Sequence, residues 1–100
     1  MRFSEKSQTT VRDVVHAVFP GQSKVYLFGS RVYDHKRGGD IDLLVVSGLQ
    51  RNARETARIT AITKIQMVLG EQKIDMVVTD DPTRDSRPVV REAFQQGIEL

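Results

Sequence analysis

The 100-residue chain has no cysteine and no tryptophan, three prolines and six aromatic residues. Without cysteine there is no disulfide framework. No N-terminal apolar stretch resembles a signal peptide, and no run is long enough to cross a bilayer, so the expected address is the cytoplasm, away from membranes. A strong charge of one sign is also missing: 15 Lys and Arg stand against 13 Asp and Glu, leaving a net +2. The pI near 9.2 therefore overstates the electrostatic footprint. Repeats and low-complexity segments are absent too. The length fits a single domain over residues 1–100, large enough to fold alone but with little room for a separate substrate-recognition domain.

What is present is concentrated in two places. Asp40-Ile41-Asp42 runs into Leu43-Leu44-Val45-Val46 between Gly38-Gly39 and Gly48, which reads as a short buried strand. Side chains alternate along a strand, so Asp40, Asp42, Leu44 and Val46 share one face, and Ile41, Leu43 and Val45 the other. At a strand rise near 3.3 Å the two aspartate α-carbons lie about 7 Å apart, so their carboxylates can converge on metal ions roughly 3.5–4 Å apart. Paired carboxylates at a half-buried strand end repel one another and call for a cation or a proton.

A second apolar stretch, Lys73-Ile74-Asp75-Met76-Val77-Val78-Thr79, places Asp75 on the same face as Val77. If it lies beside the first strand, Asp75 joins the pair. Three hard oxygen donors with no cysteine or histidine beside them point to Mg²⁺ or Mn²⁺ rather than zinc. Such a site works by positioning and charge neutralisation, activating an attacking hydroxyl and holding triphosphate oxygens.

The other concentration lies upstream. Lys24-Val25-Tyr26-Leu27-Phe28 reads as a strand ending at Gly29-Ser30-Arg31, nine residues before Asp40. Glycine lets backbone amides approach an anion, and Ser30 adds a hydroxyl donor. A short helical turn over Ser30 to Asp34 would present unpaired amides to phosphate. Arg31, Lys36 and Arg37 supply positive charge around it, and His35 is a candidate contact to nucleotide or acceptor.

The rest reads as scaffold. Val11, Val14, Val15, Val18 and Phe19 fall on one helical face, with Thr9 or Thr10 as N-cap and Pro20-Gly21 as the stop. His16 falls on the polar side. A longer helix from about Ala53 to Leu69 has Ala57, Ala61, Ile62, Ile65, Val68 and Leu69 inward and Gly70 as its end. Met67 and Met76 are expected to fill the core. Arg51, Arg54 and Arg58, at helical spacing, read as a solvated face rather than a contact surface. With no aromatic residues among them to stack bases, direct nucleic-acid binding is not expected. Asp80-Asp81-Pro82 reads as a turn, and Pro88 opens a last helix over Val89 to Gln96. The order of elements is helix, strand, strand, helix, strand, helix. It gives an α/β (α+β) domain whose helices pack on one face of a small mixed sheet.

Leu27-Phe28-Gly29-Ser30-Arg31 followed by Gly39-Asp40-Ile41-Asp42-Leu43-Leu44-Val45 resembles the signature of the minimal nucleotidyltransferases in the DNA polymerase β superfamily. The resemblance continues through the middle helix, the Asp75 strand and the ending Gly97-Ile98-Glu99-Leu100. It implies a nucleotidyltransferase fold. In it Asp40, Asp42 and Asp75 are the catalytic and metal-binding acids, Asp75 helps to activate the acceptor, and Gly29, Ser30 and Arg31 bind the nucleotide. The chain departs from the pattern in a slightly shorter gap and in Gly39, which stands where relatives often have serine. The resemblance further implies Mg²⁺, ATP as co-substrate, and transfer of AMP to a tyrosine of a helical HEPN toxin for which the chain is the antitoxin. Two other readings stay open. One is a non-catalytic module that neutralises its partner by occlusion; the other is a small-molecule transferase, like the aminoglycoside-modifying relatives, working with a separate helical subunit.

Overall fold

The computed structural model describes residues 1–33 and 39–100. The chain runs α1 (Glu5–Val18), β1 (Lys24–Phe28), a 3₁₀ turn (Gly29–Val32), β2 (Ile41–Val46), α2 (Arg51–Leu69), β3 (Ile74–Thr79), α3 (Pro88–Gln96) and β4 (Ile98–Glu99). The four strands form one mixed sheet in the order β3-β2-β1-β4. β1 and β2 pair antiparallel, with Phe28 opposite Asp42. α2 carries the chain across to β3, which lies parallel to β2 with Ile41 opposite Ile74 and Val46 opposite Thr79. This is the expected mixed α/β domain.

Alternation along the strands divides the sheet into two faces. Val25, Leu27, Ile41, Leu43, Val45, Ile74, Met76 and Val78 point to the side covered by α1 and α2. There α1 contributes Val11 and Val15, and α2 contributes Ala57, Ala61 and Ile65, one residue per turn. Each fully buried aliphatic side chain contributes about 1.5–3 kcal/mol. Alanine at two of the α2 contact positions leaves room for α1 and α2 to lie side by side.

The opposite face carries Asp42, and here the expectation of helices on one face alone is corrected. α3 packs on this side, setting Val90 and Ala93 against Phe28 and Leu44. The reason is local, since Phe28 and Leu44 are apolar on the acid-bearing face and require cover. Tyr26 on the same face meets Phe94 edge-on at 5.7 Å.

Other boundaries moved for identifiable reasons. α1 starts at Glu5 rather than after Thr9 or Thr10. Ser4 is the N-cap, its hydroxyl accepting the Ser7 N–H at 3.1 Å. The Gln8 side-chain amide also donates to the Phe3 carbonyl at 2.9 Å. Polar first turns held by a cap and by buried Phe3 leave no apolar period to read. Ile98–Glu99 forms β4, pairing with Tyr26 and Leu27. On α2, Met67 is 80% and Val68 53% exposed, so neither lies in the core. The inward stripe at 57, 61 and 65 has rotated past both by the last turn. Met76 is buried, His16 is exposed, and Gly70 ends α2 at φ +91°, as the sequence predicts.

Candidate functional site

The end of β1 and the starts of β2 and β3 meet at one lip of the sheet, because β1 runs antiparallel to β2 while β3 runs parallel to it. Phe28 lies opposite Asp42, so the residue after it, Gly29, falls beside the Asp42 side chain. Gly29 has φ +75°, and a Cβ there would overlap Asp42 Oδ2. Only glycine permits both the turn and this approach.

From Gly29 the chain makes a single 3₁₀ turn through Ser30 and Arg31 to Val32, shorter than the predicted turn to Asp34. Its carbonyls are held by the N-terminal segment. Arg2 donates its backbone N–H to the Arg31 carbonyl at 2.8 Å, Nε to the Tyr33 carbonyl at 3.1 Å and a terminal guanidinium nitrogen to the Ser30 carbonyl at 3.2 Å. Sequence reasoning missed Arg2, which precedes any recognisable motif and reaches the turn only in three dimensions. On the other side Gly39, at φ +87°, lies so close to Ser30 that a Cβ would overlap its Oγ. Asp34, His35, Lys36 and Arg37, to which the sequence assigned charge or contact, lie outside the described residues.

Arg31 does not stand alone beside this turn. Its Nε donates to the Gly39 carbonyl at 3.4 Å, and its terminal nitrogen to Gln72 Oε1 at 3.2 Å. It therefore braces the turn against the residues entering β2 and β3. Gln72 also went unnoticed in the sequence, where nothing distinguishes it from other loop glutamines.

Asp42 and Asp75 occupy the same register on β2 and β3. Asp40 lies two residues before Asp42, just outside the strand, and its Oδ2 pairs with Lys73 Nζ at 3.4 Å. The Asp42 carboxyl is pushed up to about 6, first by burial, then by the negative charges of Asp75 and Asp40 and by a hydrogen bond with the Asp75 carboxyl; Lys73 partly offsets this. Among the described residues no three acidic or histidine side chains are drawn into one ligand set. Strand register brings the acids together, with Asp40 turned to Lys73. The donor chemistry fits a hard divalent cation, which would relieve the repulsion between these carboxylates.

The acids that follow β3 have structural partners. Asp81 accepts the Thr83 N–H at 2.9 Å, making the expected turn. Asp80 pairs with Arg54 at 3.8 Å, and Asp85 with Arg87 at 2.8 Å. Arg54 also donates Nε to the Leu49 carbonyl at 2.9 Å, while Arg58 is bound by Glu55 on its own helix. The predicted solvated arginine face thus has one member, Arg54, that pins the start of α2.

The family model described as "Nucleotidyltransferase domain" matches residues 9–96. Among solved structures, a chain from the crystal structure of the toxin-antitoxin MntA-HpeT, a mutant in which two aspartates two positions apart are replaced by glutamate, superposes with a TM-score of 0.69. It is 21% identical and covers 92% of this chain and 70% of its own length. No curated protein matches the chain.

Proposed function

The chain belongs to the nucleotidyltransferase domain family, and from that premise we propose that it transfers a nucleoside monophosphate, AMP from ATP, to a tyrosine hydroxyl of a helical HEPN-type toxin and so acts as its antitoxin. The observation that carries this reading is the register of Asp42 with Asp75 beside the Gly29-Ser30 turn. The carboxylates and the glycine-led turn lie at one lip of the sheet.

In this reading Ser30 and the amides of the turn take the triphosphate, and Arg31 keeps the turn in place. Asp40, Asp42 and Asp75 would hold Mg²⁺, which when bound would supply charge neutralisation for the triphosphate. Asp75, the most exposed of the three on its strand, accepts the proton of the incoming hydroxyl. The hydroxyl oxygen bonds to the α-phosphorus, the bond from that phosphorus to the bridging oxygen breaks, and pyrophosphate leaves. The similarity to a chain of a toxin–antitoxin complex supports a protein acceptor.

The test is to incubate the protein with its neighbouring helical partner, Mg²⁺ and each ribonucleoside triphosphate, and to measure the partner's intact mass beside an Asp40→Ala control. A gain of one or more AMP masses with ATP alone, absent in the control, supports the proposal. An unmodified partner that binds tightly points to neutralisation by occlusion.

A further inference from the structure

Lys73 precedes β3, and its backbone is fixed on both sides. Its carbonyl accepts the Ile41 N–H at 3.0 Å, which ties it to the first residue of β2. Its neighbour Gln72 is held by Arg31, donates Nε2 to the Leu69 carbonyl at 3.1 Å, and offers its own carbonyl to Gln66 Nε2 at 2.9 Å. The side chain is different. It is 73% exposed, and its ammonium sits 3.4 Å from Asp40 Oδ2, whose side chain is 37% exposed. A fixed base thus carries a charge free to leave.

We propose that Lys73 is a tethered counter-cation of the acid cluster, one that holds the Asp40 carboxylate in the ligand-free protein and competes with a divalent cation for it. The inference rests on the metal-binding reading of Asp40, Asp42 and Asp75 given above.

The physical case is one of like charges contending for one carboxylate. An ammonium has three donors and no lone pair, so it cannot join a metal's ligand shell and can only be displaced or repel the incoming ion. An exposed Lys–Asp pair is weak and screened by salt, so displacement by a doubly charged ion is feasible. The ammonium also lowers the cost of holding three carboxylates together, since it sits against one of them. Lys73 therefore stabilises the empty cluster and lowers its affinity for the ion.

The experiment measures binding of Mn²⁺ alone, by electron paramagnetic resonance of the unbound ion, to the wild type and to Lys73→Met, Lys73→Arg and Asp42→Asn, with thermal denaturation confirming that each is folded. Lys73→Met is expected to bind Mn²⁺ about twofold to fivefold more tightly at low ionic strength. Lys73→Arg should keep wild-type affinity, and the gap should close near ~1 M salt. Equal or weaker binding by Lys73→Met, with binding still abolished in Asp42→Asn, overturns the role of Lys73 and leaves the metal reading standing. Binding that persists unchanged in Asp42→Asn overturns the metal reading, and this inference with it. The side chain of residue 73 is 73% exposed, and Lys73→Gln provides a second neutral variant.

Discussion

Asp42 of β2 lies directly opposite Asp75 of β3, in register across the parallel pair. Burial, with the negative charges of Asp75 and Asp40, pushes the Asp42 carboxyl up to about 6. Parallel pairing creates this contact because it sets equivalent positions of two strands side by side.

The raised Asp42 carboxyl gives a pH dependence with a definite sign. Its folded value lies above the unfolded value of 3.8. Its contribution to stability is therefore fully present below the unfolded value and is lost as pH rises through about 6. Asp42→Asn should raise the melting temperature of the ligand-free protein at pH 7.5 and give no gain at pH 3.5 or so, where Asp42 is already neutral. Thermal denaturation of both proteins across this range checks it. A gain independent of pH would mean that Asp42 is not perturbed.

Gly29→Ala should damage the site and the fold together. A side chain at φ +75° is strained, and its Cβ would meet the Asp42 carboxylate. The backbone cost is about 1–3 kcal/mol, and displacement of Asp42 should reduce nucleotidyl transfer by roughly 100-fold or more, since a misplacement near 1 Å has that effect. Chemical denaturation and the mass assay read the two losses separately.

Arg31 and Gln72 should behave as a coupled pair. Their side chains hydrogen-bond at 3.2 Å across 41 positions of sequence. A double-mutant cycle with Arg31→Ala and Gln72→Ala should show a coupling of about 0.5–1.5 kcal/mol in unfolding free energy. Strict additivity would remove Gln72 as the brace.

Asp85 should prove structural despite its carboxylate. It accepts the Thr79 hydroxyl at 2.8 Å, with Thr79 itself wholly buried, and bonds the Arg87 guanidinium, whose other contact is the Val78 carbonyl at 2.7 Å. Arg87 and then the Thr79 hydroxyl hold its carboxyl well below the ordinary range. Because that value is depressed, the stabilisation is present above the unfolded carboxylate value and is lost as pH falls below it. Asp85→Ala should cost about 1–3 kcal/mol through the orphaned Thr79 hydroxyl, measured at pH 7, and should leave transfer intact when assayed below the melting temperature.

The phase of α2 can be tested directly. Ile65 is wholly buried and Met67 is 80% exposed. Ile65→Ala should cost about 2–5 kcal/mol, and Met67→Ala no more than about 0.5 kcal/mol. Equal costs would mean that the helix sits rotated from the position described.

The elements and the candidate acids were legible in the sequence wherever a strong period coincided with a breaker. Leu43-Leu44-Val45-Val46 and Met76-Val77-Val78 are too short and branched to be anything but strands. Ala57, Ala61 and Ile65 mark one helical face, and Gly70 marks its end. Alternation alone put Asp40 and Asp42 on a common side, and a glycine after an apolar strand marked the turn at Gly29. Where the pattern was polar or terminal the sequence was silent. The first turns of α1 depend on the Ser4 cap, and β4 has two residues, too few for a period.

What the sequence determined by itself was the three helices, the three longer strands and the chemistry of the residues, because backbone propensity and side-chain alternation act over a few neighbouring positions. Only the tertiary structure decided that Asp75 faces Asp42, that Lys73 reaches Asp40, that Arg2 and Gln72 hold the turn, and that α3 covers the acid-bearing face. Each of these depends on strand order and direction. Those are set by how all the apolar faces are buried at once, which no local pattern encodes.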